Sequence, residues 1–256
     1  MEQSRSLLEN QGVRLAAISY DSQETLRAFA EKYRIGFPLL SDPDSAVIRT
    51  FGVFNHNIAP GLRAHGVPHP VEFLVAPDGT VVRKYFVTNY QHRVTGSAVA
   101  LREFGAVGSS AATVTLHSGP VSVQVGLSSA TAFAGQEVGF FAKFTVQPGW
   151  HVYGDSVPAP YTPTSVAFDD PKVVNQSLQL PPAEPMAFAA LNETLPVYSG
   201  AFAAAGSLLL RFPLPEGAIT LSGRVRLQAC SDTTCEPPEE LPFELALTLE
   251  RFLVAQ

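Results

Sequence analysis

Cysteine is almost absent from this chain of 256 residues. The two that occur, Cys230 and Cys235, lie in the stretch RLQACSDTTCEPPEE with four residues between them. Because a thiolate is the nucleophile in thiol chemistry, no other segment of the chain can carry such chemistry. Three roles are open for the pair at this point: a structural disulfide, half of a metal site, or a redox-active pair.

Charged residues and long apolar runs are also scarce. Charged residues make up 16% of the chain, with 17 basic against 23 acidic side chains and a formal net charge of −6. No cluster of Lys and Arg occurs, so we expect no nucleic-acid partner. No run of about 18 apolar residues occurs either, so we expect no membrane span. The polar N-terminus, MEQSRSLLEN, is unlike a signal peptide.

The N-terminal part alternates between strand and helix patterns, which predicts an α/β layer fold. Ser22 supplies an N-cap for a helix, and the turn Pro77-Asp78-Gly79 separates two β-rich runs. The predicted elements are, in order, a strand at Val13–Tyr20, a helix after Ser22, a strand at Phe37–Asp42, a short helix ending at Gly52, and a hairpin at Val71–Phe86.

The C-terminal part, after Thr113, consists almost entirely of strand patterns separated by turn signals. This arrangement predicts an all-β sandwich. The small and polar residues 94–119 predict a linker, and we place the two domains at residues 1–108 and 109–256.

Residues 12–90 resemble the thioredoxin-like peroxiredoxins, also called the alkyl hydroperoxide reductase/thiol-specific antioxidant family. The stretches that carry the likeness are GVRLAAISYDSQETLRAFAEKYRIGFPLLSDPDSAVIRTFGV and GVPHPVEFLVAPDGTVVRKYF. The resemblance implies a thioredoxin-like fold, with Pro70 as a cis-proline that shapes the active site. It also implies a redox cysteine upstream of the first strand, and no cysteine precedes Cys230. We therefore expect an incomplete thioredoxin-like domain, truncated before its active-site segment, that cannot by itself reduce a peroxide.

Three histidines in this part, His56, His65 and His69, match no zinc signature and have no cysteine near them. We expect solvated loop side chains, and neither a metal nor a cofactor in the chain.

Residues 120–249 resemble the N-terminal domain of the thiol:disulfide interchange protein DsbD, an immunoglobulin-like sandwich. The likeness is carried by QPGWHVYGD, YTPTSVAFD, PVYSGAFAAAGSLLLRFPLP and LQACSDTTCEPPEELPFEL, in that order. The resemblance implies a periplasmic relay that takes electrons from a membrane-embedded thiol donor and passes them to thioredoxin-like proteins. Cys230 and Cys235 would be its catalytic pair.

The residues alone narrow the roles of the pair without deciding between them. No further metal ligands lie nearby, which argues against a zinc site. A disulfide closing so short a loop would contribute only about 2 kcal/mol in the chain-entropy model. Composition leaves a structural disulfide and a redox pair open, and the resemblance favours the redox pair.

Several neighbours are candidates for shaping the site. Asp232, between the cysteines, would raise the pKa of a neighbouring thiol unless it is simply a turn residue. Tyr153 belongs to the stretch GWHVY, which is part of the resemblance to DsbD. We expect its side chain to lie either near the thiols or in the core. By order, Glu184–Gly200 corresponds to the family's cap loop, with Phe188 and Tyr198 as the candidate aromatic caps, and both could equally be core residues.

The sequence therefore predicts thiol–disulfide exchange through Cys230 and Cys235, which would make the chain a thiol–disulfide oxidoreductase if the pair is redox-active. Two rivals stay open. One is a peroxiredoxin-like antioxidant enzyme whose catalytic cysteine lies upstream of this chain. The other is a binding module with an inert disulfide.

Overall fold

The computed structural model describes residues 1–62, 64–86, 92–109, 111–188 and 192–251. Its contacts divide the chain into two compact units, Met1–Gly96 and Ser97–Gln256. The first is a thioredoxin-like α/β unit and the second a β-sandwich, which confirms the predicted fold classes. The expected domain limits, 1–108 and 109–256, concern independent folding and stay a prediction.

The helices and strands of the N-terminal unit follow the predicted order. After a 3₁₀ turn at Glu2–Ser4 they are α1 (Arg5–Glu9), β1 (Ala17–Ser19), α2 (Gln23–Tyr33), β2 (Leu39–Ser41), α3 (Ala46–Thr50), β3 (Val71–Val75), β4 (Val81–Phe86) and β5 (Arg93–Val94).

Strands β1 and β2 pair in parallel around α2, and β3 and β4 form the predicted hairpin. The side chain of Ser22 accepts a hydrogen bond from the backbone N–H of Thr25, so it is the N-cap of α2. A small core of Ile48, Val53 and Phe54 lies under the hairpin. Local capping and turn chemistry therefore account for the order of elements in this unit.

The C-terminal unit contains one helix and thirteen strands in its described residues. They are α4 (Gly96–Phe104), β6 (Thr113–Ser118), β7 (Val121–Leu127), β8 (Thr131–Ala132), β9 (Gln136–Val146), β10 (Trp150–Tyr153), β11 (Ser165–Phe168), β12 (Val173–Gln179), β13 (Glu184–Phe188), β14 (Glu193–Ser199), β15 (Ala201–Leu210), β16 (Gly217–Leu227), β17 (Ala229–Ser231) and β18 (Glu239–Leu249).

These strands form sheets in the orders β12-β15-β9-β7-β6, β11-β16-β18-β8 and β13-β14-β10-β17. Their apolar residues alternate along each strand, as in Val138, Phe140, Ala142 and Phe144 of β9, and meet in one large core. Neither cysteine belongs to this large core.

The linker predicted for residues 94–119 is wrong over its first part, which forms α4. Ala98 and Leu101 of this helix are buried, and the hydroxyl of Ser128 donates to that of Ser97. A Cβ added at Gly139 would lie 3.1 Å from the Cα of Ala98, so glycine permits the close approach of helix and strand. The small residues that suggested a linker are packing residues.

The sheet β13-β14-β10-β17 positions the cysteines, and its two faces differ. One face contributes Val152, Tyr198 and Ala229 to the large core. The other face forms a second, smaller cluster around Cys230, with Tyr153 on β10 and Leu195 and Val197 on β14. We call this second face the disulfide face.

Candidate functional site

Cys230 and Cys235 form a disulfide at the edge strand of the sheet, with 4.0 Å between their Cα atoms. The intervening turn is tied by Ser231, whose hydroxyl oxygen accepts hydrogen bonds from the backbone N–H groups of Thr233 and Thr234. The backbone N–H of Ser231 also donates to the carbonyl of Thr234 at 2.7 Å. The turn predicted from the sequence therefore brings the two cysteines together.

The two cysteines differ sharply in exposure. Cys230 is 1% exposed and belongs to the cluster on the disulfide face. Cys235 and the three residues before it are exposed. A partner molecule can therefore approach the disulfide from the side of Cys235, whereas Cys230 is shielded.

The hydroxyl of Tyr153 lies at the disulfide, 3.4 Å from the sulfur of Cys230 and 3.9 Å from that of Cys235. A disulfide has no S–H, so the Tyr153 O–H is the donor in both contacts. Burial, together with the negative charge of Glu193, raises the pKa of Tyr153. The phenol therefore keeps its proton at neutral pH and can donate to either sulfur.

A second tyrosine packs against the first. The ring of Tyr161, from the loop between β10 and β11, lies 4.9 Å from the ring of Tyr153. Its hydroxyl donates to Glu193 at the start of β14, with 2.5 Å between the oxygens. This hydrogen bond to the carboxylate, with some burial, raises the pKa of Tyr161 to about 12. The pair joins two chain segments beside Tyr153, and we call it the Tyr161–Glu193 bridge.

His151 lies directly opposite Cys230 in the antiparallel pairing of β10 with β17. The side chain is 2% exposed, and its ring centroid lies 5.8 Å from that of Tyr153 and 5.2 Å from that of Phe188. Its Nε2 atom is buried and has no hydrogen-bond partner within the described part of the chain. Burial lowers the pKa of His151, and the charge of Asp232 opposes that shift.

The remaining predicted site residues fall in different places. Phe188 is half-buried on the disulfide face, as a cap would be, but residues 189–191 of the expected cap segment lie outside the described residues. Tyr198 is on the opposite face, in the large core, where its hydroxyl donates to the carbonyl of Pro181. Asp232 is exposed in the turn, and its charge acts on His151.

Pro70 belongs to the N-terminal unit. Among the described residues the cis peptide bonds precede Pro160 and Pro213, so the expectation of a cis bond before Pro70 is not met. Its role in shaping a site stays a prediction.

Three residues of this site, His151, Tyr161 and Glu193, have no predicted role in the sequence patterns above. A signal for His151 was present, because residues two apart on a strand share a face and Tyr153 was already a candidate. The Tyr161–Glu193 bridge joins residues 32 positions apart, and no local pattern reveals such a pairing.

No group of three or more His, Cys, Asp or Glu side chains in the described ranges could hold a metal ion. No helix among those residues is long and apolar enough to cross a membrane.

Comparison with known families agrees with the two units. Residues 1–84 match the AhpC/TSA family, and residues 124–247 match the N-terminal domain of the thiol:disulfide interchange protein DsbD.

Curated relatives match the N-terminal part. Peroxiredoxin Bcp of Escherichia coli is 37% identical over 89 residues, which cover 34% of this chain and 56% of the relative. A putative peroxiredoxin of Haemophilus influenzae is 34% identical over 85 residues, covering 33% of this chain and 54% of the relative. The chain thus spans about half the length of these proteins.

Two solved structures match part of the chain. The N-terminal periplasmic domain of ScsB from Proteus mirabilis matches with a TM-score of 0.42 and 17% identity, covering 55% of this chain and 52% of that one. The reduced DsbD N-terminal domain of Neisseria meningitidis matches with a TM-score of 0.31 and 14% identity, covering 54% of this chain and 86% of that one. The chain therefore joins a segment similar to the peroxiredoxins to a β-sandwich similar to the N-terminal domain of DsbD.

Proposed function

We propose that this chain exchanges disulfides with thioredoxin-like proteins through Cys230 and Cys235. The observation that carries the proposal is the asymmetry of the disulfide. Cys235 is exposed at the end of a sheet, while Cys230 is buried beneath it with the Tyr153 hydroxyl on its sulfur. Exchange needs one sulfur that can be attacked and one that can leave without reacting elsewhere.

The reaction follows from this geometry. A thiolate of the partner attacks the sulfur of Cys235, forming a mixed disulfide, and the bond between the two chain sulfurs breaks. The electron pair of that bond goes to Cys230, which leaves as a thiolate and accepts the hydrogen bond of Tyr153. The partner's second thiolate then attacks its own bridged sulfur and releases Cys235 as a thiolate. Two electrons have passed from the partner to the chain, and the reverse sequence returns them.

The similarity to DsbD supplies the partner classes. A membrane-bound thiol donor would reduce the pair, and thioredoxin-like proteins would oxidise it. We propose that this exchange takes place in the periplasm or otherwise outside the cytoplasm, which the similarity to the N-terminal domain of DsbD supports. The partner classes and the location are proposed from resemblance. The exposure of Cys235 supports the exchange reaction.

The peroxiredoxin-like segment does not change this proposal. Residues 1–84 contain no cysteine, so they lack the thiolate that a peroxide-reducing enzyme requires. Any thiol exchange by this chain uses the pair in the sandwich.

Trapping in the native host tests the proposal. With Cys230→Ser the exposed Cys235 has no resolving partner, so a mixed disulfide with a thioredoxin-like protein should accumulate under non-reducing conditions. The matched variant Cys235→Ser keeps only the buried cysteine and should trap far less. Failure of both variants to trap any partner would favour an inert structural disulfide.

A further inference from the structure

A buried titratable group, His151, lies beside the disulfide and is left unused by the exchange reaction above. His151 faces Cys230 across the strand pair, is 2% exposed, and has an Nε2 atom that no described group satisfies. Leaving a buried polar atom without a partner destabilises a fold, so its presence at a reacting centre calls for an explanation.

The oxidation state of Cys230 explains why the Nε2 atom of His151 has no hydrogen-bond partner. In the disulfide, the sulfur of Cys230 has no hydrogen to donate. On reduction Cys230 becomes a thiol, and its S–H is a donor on the strand directly opposite the imidazole. Paired side chains of antiparallel strands have Cβ atoms about 4.5–5.5 Å apart, close enough for an imidazole and a thiol to meet.

The return half of the exchange needs such a group. When the reduced chain attacks an oxidised partner through Cys235, Cys230 must then lose its proton to resolve the mixed disulfide. Cys230 is shielded from water, and an apolar site raises the pKa of a thiol. Solvent alone is therefore a poor acceptor for this proton.

We propose that His151 accepts the proton of Cys230 during resolution of the mixed disulfide, a role that rests on the exchange function proposed above. The Cys230 thiol transfers its proton to Nε2. The resulting thiolate attacks Cys235, the chain disulfide re-forms, and the partner leaves as a thiolate. The imidazolium then returns the proton to that thiolate or to water, so protons and electrons balance.

The residues around His151 favour the protonation states that the proton transfer needs. Burial lowers its pKa, so at neutral pH it is uncharged and able to accept a proton. Asp232 favours the imidazolium once it forms, because its negative charge acts in the opposite direction. The titratable groups around His151 are Cys230 on β17, Asp232 in the turn, Tyr153 on β10, and the Tyr161–Glu193 bridge that faces Tyr153.

Two-phase kinetics test the role. The reduced full-length chain is mixed with the chromogenic aryl disulfide dithiobis-nitrobenzoate. The first chromophore is released when Cys235 attacks, and the second when Cys230 resolves the mixed disulfide. For His151→Phe we expect an unchanged first phase and a second phase slower by about 100-fold at neutral pH, the usual size of a general-base effect. His117→Phe, an exposed histidine on β6, is the control and should change neither phase.

The pH profile separates proton transfer from packing. In the unsubstituted chain the second-phase rate should level off near or below pH 6.5, once the imidazole is neutral. In His151→Phe it should keep rising by about tenfold per pH unit toward the pKa of a thiol, about 8.5. The variant His151→Gln, which retains a polar side chain, should follow the His151→Phe profile.

Equal second phases in the unsubstituted chain, His151→Phe and His151→Gln would overturn the proposal. If both variants lose the first phase through misfolding, the unsubstituted chain decides alone, and a second phase that rises continuously through pH 8 would refute the role. The underlying function fails differently. If the disulfide is inert in the host, Cys230→Ser traps no partner there, whatever the synthetic probe shows.

Discussion

Tyr153 is the side chain through which the sandwich acts on the disulfide. Its hydroxyl contacts both sulfurs, and burial keeps it protonated. A hydrogen bond to a charged group contributes roughly 1.5–3 kcal/mol, more than one to a neutral group. The contact therefore stabilises the Cys230 thiolate more than it stabilises the disulfide.

Tyr153→Phe should slow reduction of the disulfide by dithiothreitol about tenfold or more at neutral pH, because the departing thiolate loses its donor. The initial rate of thiol release measures this effect. The matched control is Tyr198→Phe, which removes a hydroxyl from the opposite face of the same sheet, where it donates to Pro181. Equal rates for the two variants would contradict the role of Tyr153.

The lowered pKa of His151 also predicts how the free energy of unfolding depends on pH. Its pKa in the folded chain lies below the ordinary value, so below about pH 6.5 the unfolded chain binds the proton more readily. The free energy of unfolding should therefore decrease as pH falls from about 6.5 toward the folded-state pKa, and should be unaffected by this group at higher pH.

Urea unfolding of the unsubstituted chain and of His151→Phe at pH 7.5 and 5 measures the effect. Trp150 is the chain's one tryptophan and neighbours His151, so its fluorescence reports on this unit. The loss of stability on acidification should be smaller in the variant. An equal loss would show that His151 is protonated as easily in the folded chain as in the unfolded one.

At the scale of elements, the Tyr161–Glu193 bridge joins the loop after β10 to the start of β14 beside the disulfide face. Phe188 lies opposite Glu193 in the pairing of β13 with β14. Like Tyr161, it packs against the cluster around Cys230, and together the two side chains cover the disulfide face. The bridge is partly exposed, so it is a weak restraint that an approaching partner can displace.

Tyr161→Phe or Glu193→Ala should each speed reduction of the disulfide by a large thioredoxin-like protein several-fold, because one hydrogen bond worth about 1 kcal/mol no longer joins the two chain segments beside Tyr153. Reduction by dithiothreitol, a small molecule, should change less. The double variant should add little to either single change, since both remove the same bond. Additive effects would show that the two side chains act independently.

The elements that the sequence predicted well are those set by local chemistry. Ser22 caps its helix, Gly52 follows a short one, and the turn between the cysteines forms as expected. Helix α4 was missed because Ser97 and Ala98 are small for packing reasons that a composition pattern cannot distinguish from flexibility. The sequence also does not show on which face of the sheet Tyr198 lies, because that depends on the register of β14 against β10.

At the scale of the whole molecule, thiol chemistry is confined to one unit. The segment similar to the AhpC/TSA family contains no cysteine, and the sandwich contains both. The sandwich core is large and continuous without the disulfide, and the loop that the disulfide closes is short. Because the large core includes neither cysteine, we expect the sandwich to stay folded when the disulfide is reduced.

The reduction potential of the Cys230–Cys235 pair tests this account most directly. It can be measured by equilibrating the full chain with dithiothreitol or glutathione buffers and trapping free thiols. Because Cys235 is exposed and the Tyr153 hydrogen bond stabilises the Cys230 thiolate more than it stabilises the disulfide, we predict a value above about −300 mV, in the range of thiol–disulfide oxidoreductases. A value well below about −300 mV, typical of structural disulfides, would contradict the claim that the pair is a working redox couple.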